Sequence, residues 1–343
     1  MKRFPLKALA GAVLATAAMG AAQAADVTLR YTHFWPSASR VHTEVFEAWA
    51  KSIEQASDGR IRVQVFPAQT LAKADGSYQA TVNGVADIVS TAQGYTAGRF
   101  PLSQIVEFPG MGETSLQSGC ILQSLYDKGM LDKEYADSKV LYMFTTGPGV
   151  LHTRDKSIPN PDALKGLRMR NPAAIAGQVL QKAGARNVSM PAPEAYESMQ
   201  RGVIDGTAFP WEAMQVFRLN ELASHHTHVP VYSTVFVTAM NKRTYDRLPD
   251  DLKKVIDDHS GAKWQQRAAA VFDALDVEGR QAAEKAGNEI IVVDDPMKDA
   301  AWGPLLQSVV DDYLGGLKKQ NLPGEDVYKA ALEAKSSCPA TAG

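Results

Sequence analysis

The sequence predicts an α/β protein of two similarly built lobes, and three patterns carry that prediction. Strand-like and helix-like segments alternate along the chain after residue 24, as a parallel sheet flanked by helices requires. A short echo recurs on either side of a long middle: "YQATVNGVAD" begins at Tyr78 and "YESMQRGVID" at Tyr196. Finally, residues 249–286 keep helical periodicity for longer than one domain is wide.

In order, "VTLRYTH" (27–33) alternates as a strand, and "VHTEVFEAWAKSIEQAS" (41–57) reads as an amphipathic helix ended by Asp58-Gly59. "IRVQVF" (61–66) is a second strand. A helix from about Lys73 to Asn83 stops at Gly84, and "ADIVSTA" (86–92) follows as a buried strand; "VLYMFTT" (140–146) is another. In both copies of the echo a Tyr is followed six positions later by Gly-Val-x-Asp: Gly84 to Asp87 and Gly202 to Asp205. Each copy is a helix end at which glycine supplies a left-handed turn into a strand.

"GLRMRNPAAIAGQVLQKAG" (166–184) is a strand running into a helix. Leu167 and Met169 alternate with Arg168 and Arg170, so both arginines leave one side of the strand. Asn171 is the expected N-cap, Pro172 the first helical residue and Gly184 the stop. A guanidinium beside a helix N-terminus puts two positive features together, which calls for an anion. Arg170 suits a carboxylate through its planar fork; pairing with an internal Asp or Glu is the competing role. Arg168, farther from the helix mouth, is expected to reach solvent or a neighbouring acid.

From Pro249 to about Ala286 the apolar positions Leu252, Val255, Ile256, Val271, Phe272 and Leu275 fit one helix of ~55 Å lying across both lobes. Two ordinary helices broken at Gly261 remain the alternative.

The ends set the compartment. Lys2, Arg3 and Lys7 precede the small apolar stretch "ALAGAVLATAAMGAA", and Ala22-Gln23-Ala24 fits a cleavage site. Residues 1–24 are therefore expected to be a Sec-type signal peptide cleaved near Ala24, placing the protein in the periplasm. Removing it takes three positive side chains from a formal charge of −2, leaving −5. No basic cluster points to nucleic acid. Cys120 and Cys338 lie in an oxidising compartment, where a disulfide tying the C-terminal tail to the body and two free thiols both remain open.

Signatures of catalysis are lacking. No Gly-x-Ser-x-Gly elbow occurs, and "GPGVLH" (147–152) has no third glycine. His225, His226 and His228 in "SHHTH" have no acid in register and read as a solvated loop. Asp250-Asp251 and Asp257-Asp258 read as the solvated face of the long helix. The expectation is no enzyme, no cofactor and no metal.

Three segments in sequence order, "LKGLRMRNP", "MPAPEAYESMQRGVIDGTAFPWEAMQ" and "FVTAMNKRTYDRLPDDLKKVI", resemble the solute-binding proteins of TRAP (tripartite ATP-independent periplasmic) transporters, the dicarboxylate-binding-protein-like family. The resemblance covers nearly all of the chain after residue 24. It implies a two-lobed periplasmic binding protein fold with crossing hinge strands and a long helix spanning both lobes. Lobe I would be residues 25–147 plus about 236–265, and lobe II residues 148–235 plus about 266–338. It further implies a monomer that closes on a small organic acid and delivers it to a small and a large membrane subunit. The arginine that takes the carboxylate corresponds to Arg170. A binding protein of another transporter type, or one feeding a sensor, is the alternative.

Two departures bear on the ligand. Many relatives carry "Q-E-N-P" after the Asp-Gly, whereas this chain has Phe209 at the Asn position, with Trp211 and Glu212 following. A second arginine, common in sialic-acid-binding members, has no match at Gly149–Val150; Arg154 is the nearest. Phe209 and Trp211 suit the apolar body of a monocarboxylate, core packing being their other use. Glu212 is left between holding Arg170 and binding a ligand hydroxyl. For the opposite wall, His33, Phe34 and Trp35 follow the first strand, and Gln93 and Tyr95 follow the "ADIVSTA" strand, at the strand ends where α/β proteins bind ligands.

Overall fold

A computed structural model describes residues 25–293 and 295–341. The expected signal peptide lies outside the described residues.

One mixed sheet runs through the molecule. Its strands are β1 (Val27–His33), β2 (Ile61–Phe66), β3 (Ile88–Ala92), β4 (Ser138–Thr153), β5 (Arg168–Asn171), β6 (Arg186–Ser189), β7 (Gly206–Phe209), β8 (His225–Asn241) and β9 (Glu289–Val292). The order is β2-β1-β3-β8-β4-β7-β5-β6, with β9 beside β8. Two parallel triplets, β2-β1-β3 and β7-β5-β6, thus flank the long antiparallel pair β4–β8. Helices cover both faces: Phe144 and Phe236 face one core, and Met143, Val235 and Val237 the other.

The echo is a structural repeat. Gly84 and Gly202 take φ of 82° and 68°, and the following valines close the turns with 2.8 Å bonds to Ala80 and Ser198 carbonyls. Asp87 accepts the backbone N–H and the Nε of Arg30, both at 2.9 Å. Asp205 accepts the same two groups of Arg168, at 2.8 and 3.0 Å. Each pair ties the start of one strand to its neighbour, and Arg168 is the outward, acid-paired arginine.

Several expectations need correction. The long helix is two, Asp250–Asp258 and Ala262–Lys285, because Gly261 has φ 70° and takes the chain out of helical geometry. The second helix, ~36 Å long, still packs on segments from both ends of the sheet, among them the helical turns Val41–Phe46 and the helix Trp211–Val216. Gly279 permits the latter contact, since a Cβ there would overlap the Trp211 carbonyl. Asn171 is the last residue of β5 and not a cap; the helix Ala174–Lys182 follows Ala173 without a side-chain cap. Finally, "SHHTH" is the start of β8, paired with both β4 and β9, and not a solvated loop.

The crossing pair is irregular at its middle. Its register shifts between Thr145 and Pro148 and again between Gly149 and Leu151. Pro148 has no N–H to donate, and Gly149 leaves room for the Tyr232 ring, which a Cβ would overlap. Here the Val235 N–H leaves the ladder for the carboxylate of Glu107, 3.3 Å away. Glu107 is fully buried, its other oxygen has no hydrogen-bond partner among the described residues, and burial pushes its pKa up to about 8.

Cys120 and Cys338 form a disulfide across 218 residues of chain, fixing the C-terminal helix Gly324–Ser337 against the helix Ser115–Asp127. Cys120→Ala/Cys338→Ala should cost about 2–4 kcal/mol in denaturant unfolding and leave solute affinity within twofold, because neither residue lines the cavity described below. A carboxyl with a folded pKa above its unfolded one, ~4.3 for Glu, holds its proton longer when folded. Its contribution is intact below the unfolded value and declines as pH rises toward about 8. Glu107→Gln removes that decline, so the variant should gain on the wild type by up to ~1.4 kcal/mol per pH unit between pH 5 and 8. Urea melts across that range that stay parallel for the two proteins would contradict it.

Candidate ligand-binding site

Between the two triplets, in front of the irregular middle of β4–β8, lies a narrow cavity with about 290 Å³ of atom-free space, part of it open to solvent. Phe34 and Trp35 after β1 and Tyr95 after β3 form one side. Arg170 on β5, Pro172, Ala192 and Phe209 at the end of β7 form another, with Glu212, Ala213 and Phe217 from the next helix. Thr146 of β4 and Thr234 and Phe236 of β8 close the back. This is where strand C-termini of both triplets meet.

Arg170 dominates the cavity chemically. It is wholly buried. Its Nε donates to the Met190 carbonyl at 3.0 Å and its Nη1 to the Ala208 carbonyl at 3.3 Å. The guanidinium carbon stands 4.1 Å from the centre of the Phe209 ring, a cation–π contact. Nη2 has no hydrogen-bond partner among the described residues, and no Asp or Glu pairs with the guanidinium there. The two carbonyls therefore fix the fork while one edge stays available.

Phe209 is itself held in place. It stacks on Phe217 with ring centres 6.1 Å apart, and Phe217 in turn stacks on Phe34 at 6.3 Å, from the other triplet. The Phe209 carbonyl lies 3.1 Å from His152 Nε2, and His152 Nδ1 lies 2.7 Å from His226 Nδ1. Burial lowers both imidazole pKa values, that of His226 to about 4, and keeps the rings neutral. Tyr95 crosses the cavity: its hydroxyl accepts the Ala192 N–H at 2.9 Å. Burial raises the Tyr95 pKa, with Arg170 beside it acting in the opposite sense.

Glu212 is nearly fully buried, and Asp276 accepts its backbone N–H at 3.1 Å. Burial raises both pKa values, that of Asp276 to about 7 and that of Glu212 well above the usual range, where Asp276 adds to the effect.

The cavity thus gathers Arg170, Phe209, Glu212, Phe34, Trp35 and Tyr95. Four other expected residues stand outside its lining. Trp211 opens the helix after Phe209 with its ring turned away, its Nε1 donating to His228 Nδ1 at 3.0 Å and its face packed on Val150 and Ala283. His33 bonds His42 at 2.9 Å, Arg154 donates to the Met199 carbonyl at 2.9 Å, and buried Gln93 points its amide at the Phe236 carbonyl. The mouth of the helix Ala174–Lys182 is also covered, because Gly94 packs directly on Ala173. Sequence reading missed Thr146, Thr234, Phe236 and Phe217; for Thr234 and Phe236 the signal was the apolar, β-branched run of β8, which reads as core. No group of three His, Cys, Asp or Glu side chains suited to a metal occurs among the described residues.

Residues 31–315 match the DctP family, bacterial extracellular solute-binding protein family 7. The chain belongs to this family of solute receptors. A marine metagenome TRAP solute-binding protein specific for aromatic acid ligands, solved with 3-hydroxybenzoate, is 31% identical, with a TM-score of 0.86 over 92% of this chain and 99% of that one. A TRAP solute-binding protein from Rhodoferax ferrireducens, solved with copurified benzoate, is also 31% identical, with a TM-score of 0.82 over 90% and 98%. The ectoine-binding periplasmic protein TeaA of Halomonas elongata is 25% identical over 95% of this chain and 97% of its own. The two-lobed fold of TRAP solute-binding proteins is therefore this chain's fold, and its function is the extracytoplasmic capture of a solute for a TRAP transporter. Among the described residues no helix is long and apolar enough to cross a membrane.

Proposed function

We propose that the captured solute is a small monocarboxylate with an aromatic or branched apolar body. The observation that carries this reading is the buried Arg170 guanidinium, its Nη2 without a hydrogen-bond partner among the described residues, in a cavity walled mainly by the rings of Phe34, Trp35, Phe209, Phe217 and Phe236. A buried cation without a partner is costly, and a carboxylate in that cavity would satisfy it bidentately. The apolar walls supply area for a ring but few partners for a sugar's hydroxyls. The aromatic acids held by the two 31%-identical relatives agree with this choice.

In this reading residues 1–24 are a signal peptide removed near Ala24, and the mature protein works in the periplasm as a monomer without catalysis, passing its solute to a small and a large membrane subunit. The lobes are residues 25–147 with about 236–265, and 148–235 with about 266–338. The boundary near residue 147 falls at the register shifts of β4, so the crossing strands bend where their ladder is already broken. Tyr95 on Ala192, Phe34 on Phe217, and the ion pair of Arg40 with Glu278 at 2.7 Å are the contacts made on closure. Closure is then a population shift driven by contacts of the closed state.

Isothermal titration against benzoate, phenylacetate and branched keto acids tests the ligand class. Arg170→Met should lose thirtyfold or more in affinity, the worth of a charge-assisted pair, while unfolding at unchanged or higher denaturant, since a lone buried charge is removed. An Arg170→Met protein that folds and binds these acids like the wild type would overturn the assignment. Gly94→Ala tests closure: its Cβ would overlap that of Ala173 only when the lobes are together. Affinity should fall about tenfold, with the stability of the ligand-free open form little changed; unaltered affinity would remove the contact from the closing surface.

A further inference from the structure

A second polar group faces the cavity and is unused by the carboxylate reading. Glu212 stands in the first turn of the helix Trp211–Val216 and lines the same cavity as Arg170. It is only 3% exposed, and its Oε2 has no hydrogen-bond partner among the described residues. No Lys or Arg pairs with it there. The charge that acts on it is Asp276, a half-buried acid whose carboxylate receives the Glu212 N–H. Burial and a like charge both favour the neutral acid. A neutral carboxyl offers one O–H donor and an acceptor oxygen. Leaving such a group unmatched is unfavourable, and none of the Tyr95, Thr146 and Thr234 hydroxyls that share the lining hydrogen-bonds its Oε2.

We propose that Glu212 is a specificity-determining residue that reads a hydroxyl on the body of the solute, so that the preferred class is hydroxylated aromatic monocarboxylates over the unsubstituted acids. This rests on the carboxylate at Arg170 and adds a second anchor. A hydroxyl matches the neutral acid in both senses, donating to the carbonyl oxygen and accepting from the O–H, with no separation of charge. An ammonium would demand an ionised Glu212 beside Asp276 in a cavity that disfavours charge. A hydroxyl-free acid fills the walls but leaves Oε2 unmatched.

The test is titration calorimetry on the purified mature protein with matched pairs: 3-hydroxybenzoate against benzoate and 3-fluorobenzoate, and 3-hydroxyphenylacetate against phenylacetate. The wild type should prefer the hydroxylated member of at least one pair by ten- to hundredfold, with the fluoro compound ranking beside the parent. Glu212→Leu should bring that preference to threefold or less, read as the ratio of the two affinities within each pair. Glu212→Gln, which keeps a donor and an acceptor in the same shape, should retain most of it. Should Glu212→Leu not fold, the fluoro comparison in the wild type and the retained preference in Glu212→Gln decide alone. Acids bound without any hydroxyl preference, or a preference that persists in Glu212→Leu, would overturn the role of Glu212 and leave Arg170 standing. Tighter binding of 3-(aminomethyl)benzoate than of 3-hydroxybenzoate would overturn it in favour of an ammonium site. Binding of no member of either pair would bring down the carboxylate reading, and this one with it.

Discussion

One unpaired, fully buried guanidinium sets the terms for the centre of this molecule. Arg170 loses all contact with solvent yet has no ion-pair partner among the described residues, and an arginine at ordinary pH stays charged. Its partial compensation is built from the backbone: the Met190 and Ala208 carbonyls take two of its donors, and the face of Phe209 takes the cation. Each of these is fixed in turn, since Tyr232 also donates to the Ala208 carbonyl at 3.1 Å and His152 approaches that of Phe209. Residues of β4, β5, β7 and β8 thus converge on one head group. Satisfying it from carbonyls and a ring, with no carboxylate, leaves a field that an anionic solute can answer.

The repeated unit shows how a common scaffold acquired that charge on one side only. Arg30 and Arg168 occupy equivalent strand positions, and each is locked by the Asp of its Gly-Val-x-Asp turn. Two residues later, on the same face, the first copy has Thr32 and the second Arg170, both buried. The architecture of the two triplets is therefore alike at this point, and the side chain at the inner position differs. The first triplet contributes rings instead, Phe34 and Trp35 stacked 3.9 Å apart and backed by Phe236 and Phe144. The side that brings the charge also brings Phe209 and Phe217, and the other brings the apolar area of Phe34 and Trp35, with the Tyr95 hydroxyl beside them.

What could be read along the chain was whatever local sequence determines. β1 and β2 sit where alternation places them, Gly84 and Gly202 turn as helix ends do, and the strand carrying Arg168 and Arg170 is short and followed by a helix. Reading failed where the deciding partner is distant. The helix break at Gly261 depends on a positive φ that the Gly261 N–H stabilises by bonding the Leu141 carbonyl of β4. His226 reads as polar loop until His152, 74 residues away, supplies its partner. Thr146, Thr234 and Phe236 reach the cavity because two long strands cross behind it, a placement no local window contains. Phe209 and Trp211 are near neighbours of similar character, but the strand ends between them, so one ring meets the cavity and the other packs against histidines.

The buried acids sharpen the selectivity argument. Glu107 and Glu212 are buried and Asp276 is half-buried, and desolvation holds each toward its neutral form. Had any of them been placed to ion-pair with Arg170, its pKa would fall, the guanidinium would be neutralised internally, and a solute carboxylate would meet a finished salt bridge. Arg170 is not among the groups acting on any of the three. The protein therefore keeps carboxyls near its cavity without letting them compete for the one cation in its lining. A neutral sugar in that cavity would leave Arg170 uncompensated, and a cationic solute would add repulsion to it. With a carboxylate solute as proposed, discrimination would follow from the cost of an unanswered buried charge, a term larger than the ~1 kcal/mol typical of a single neutral hydrogen bond.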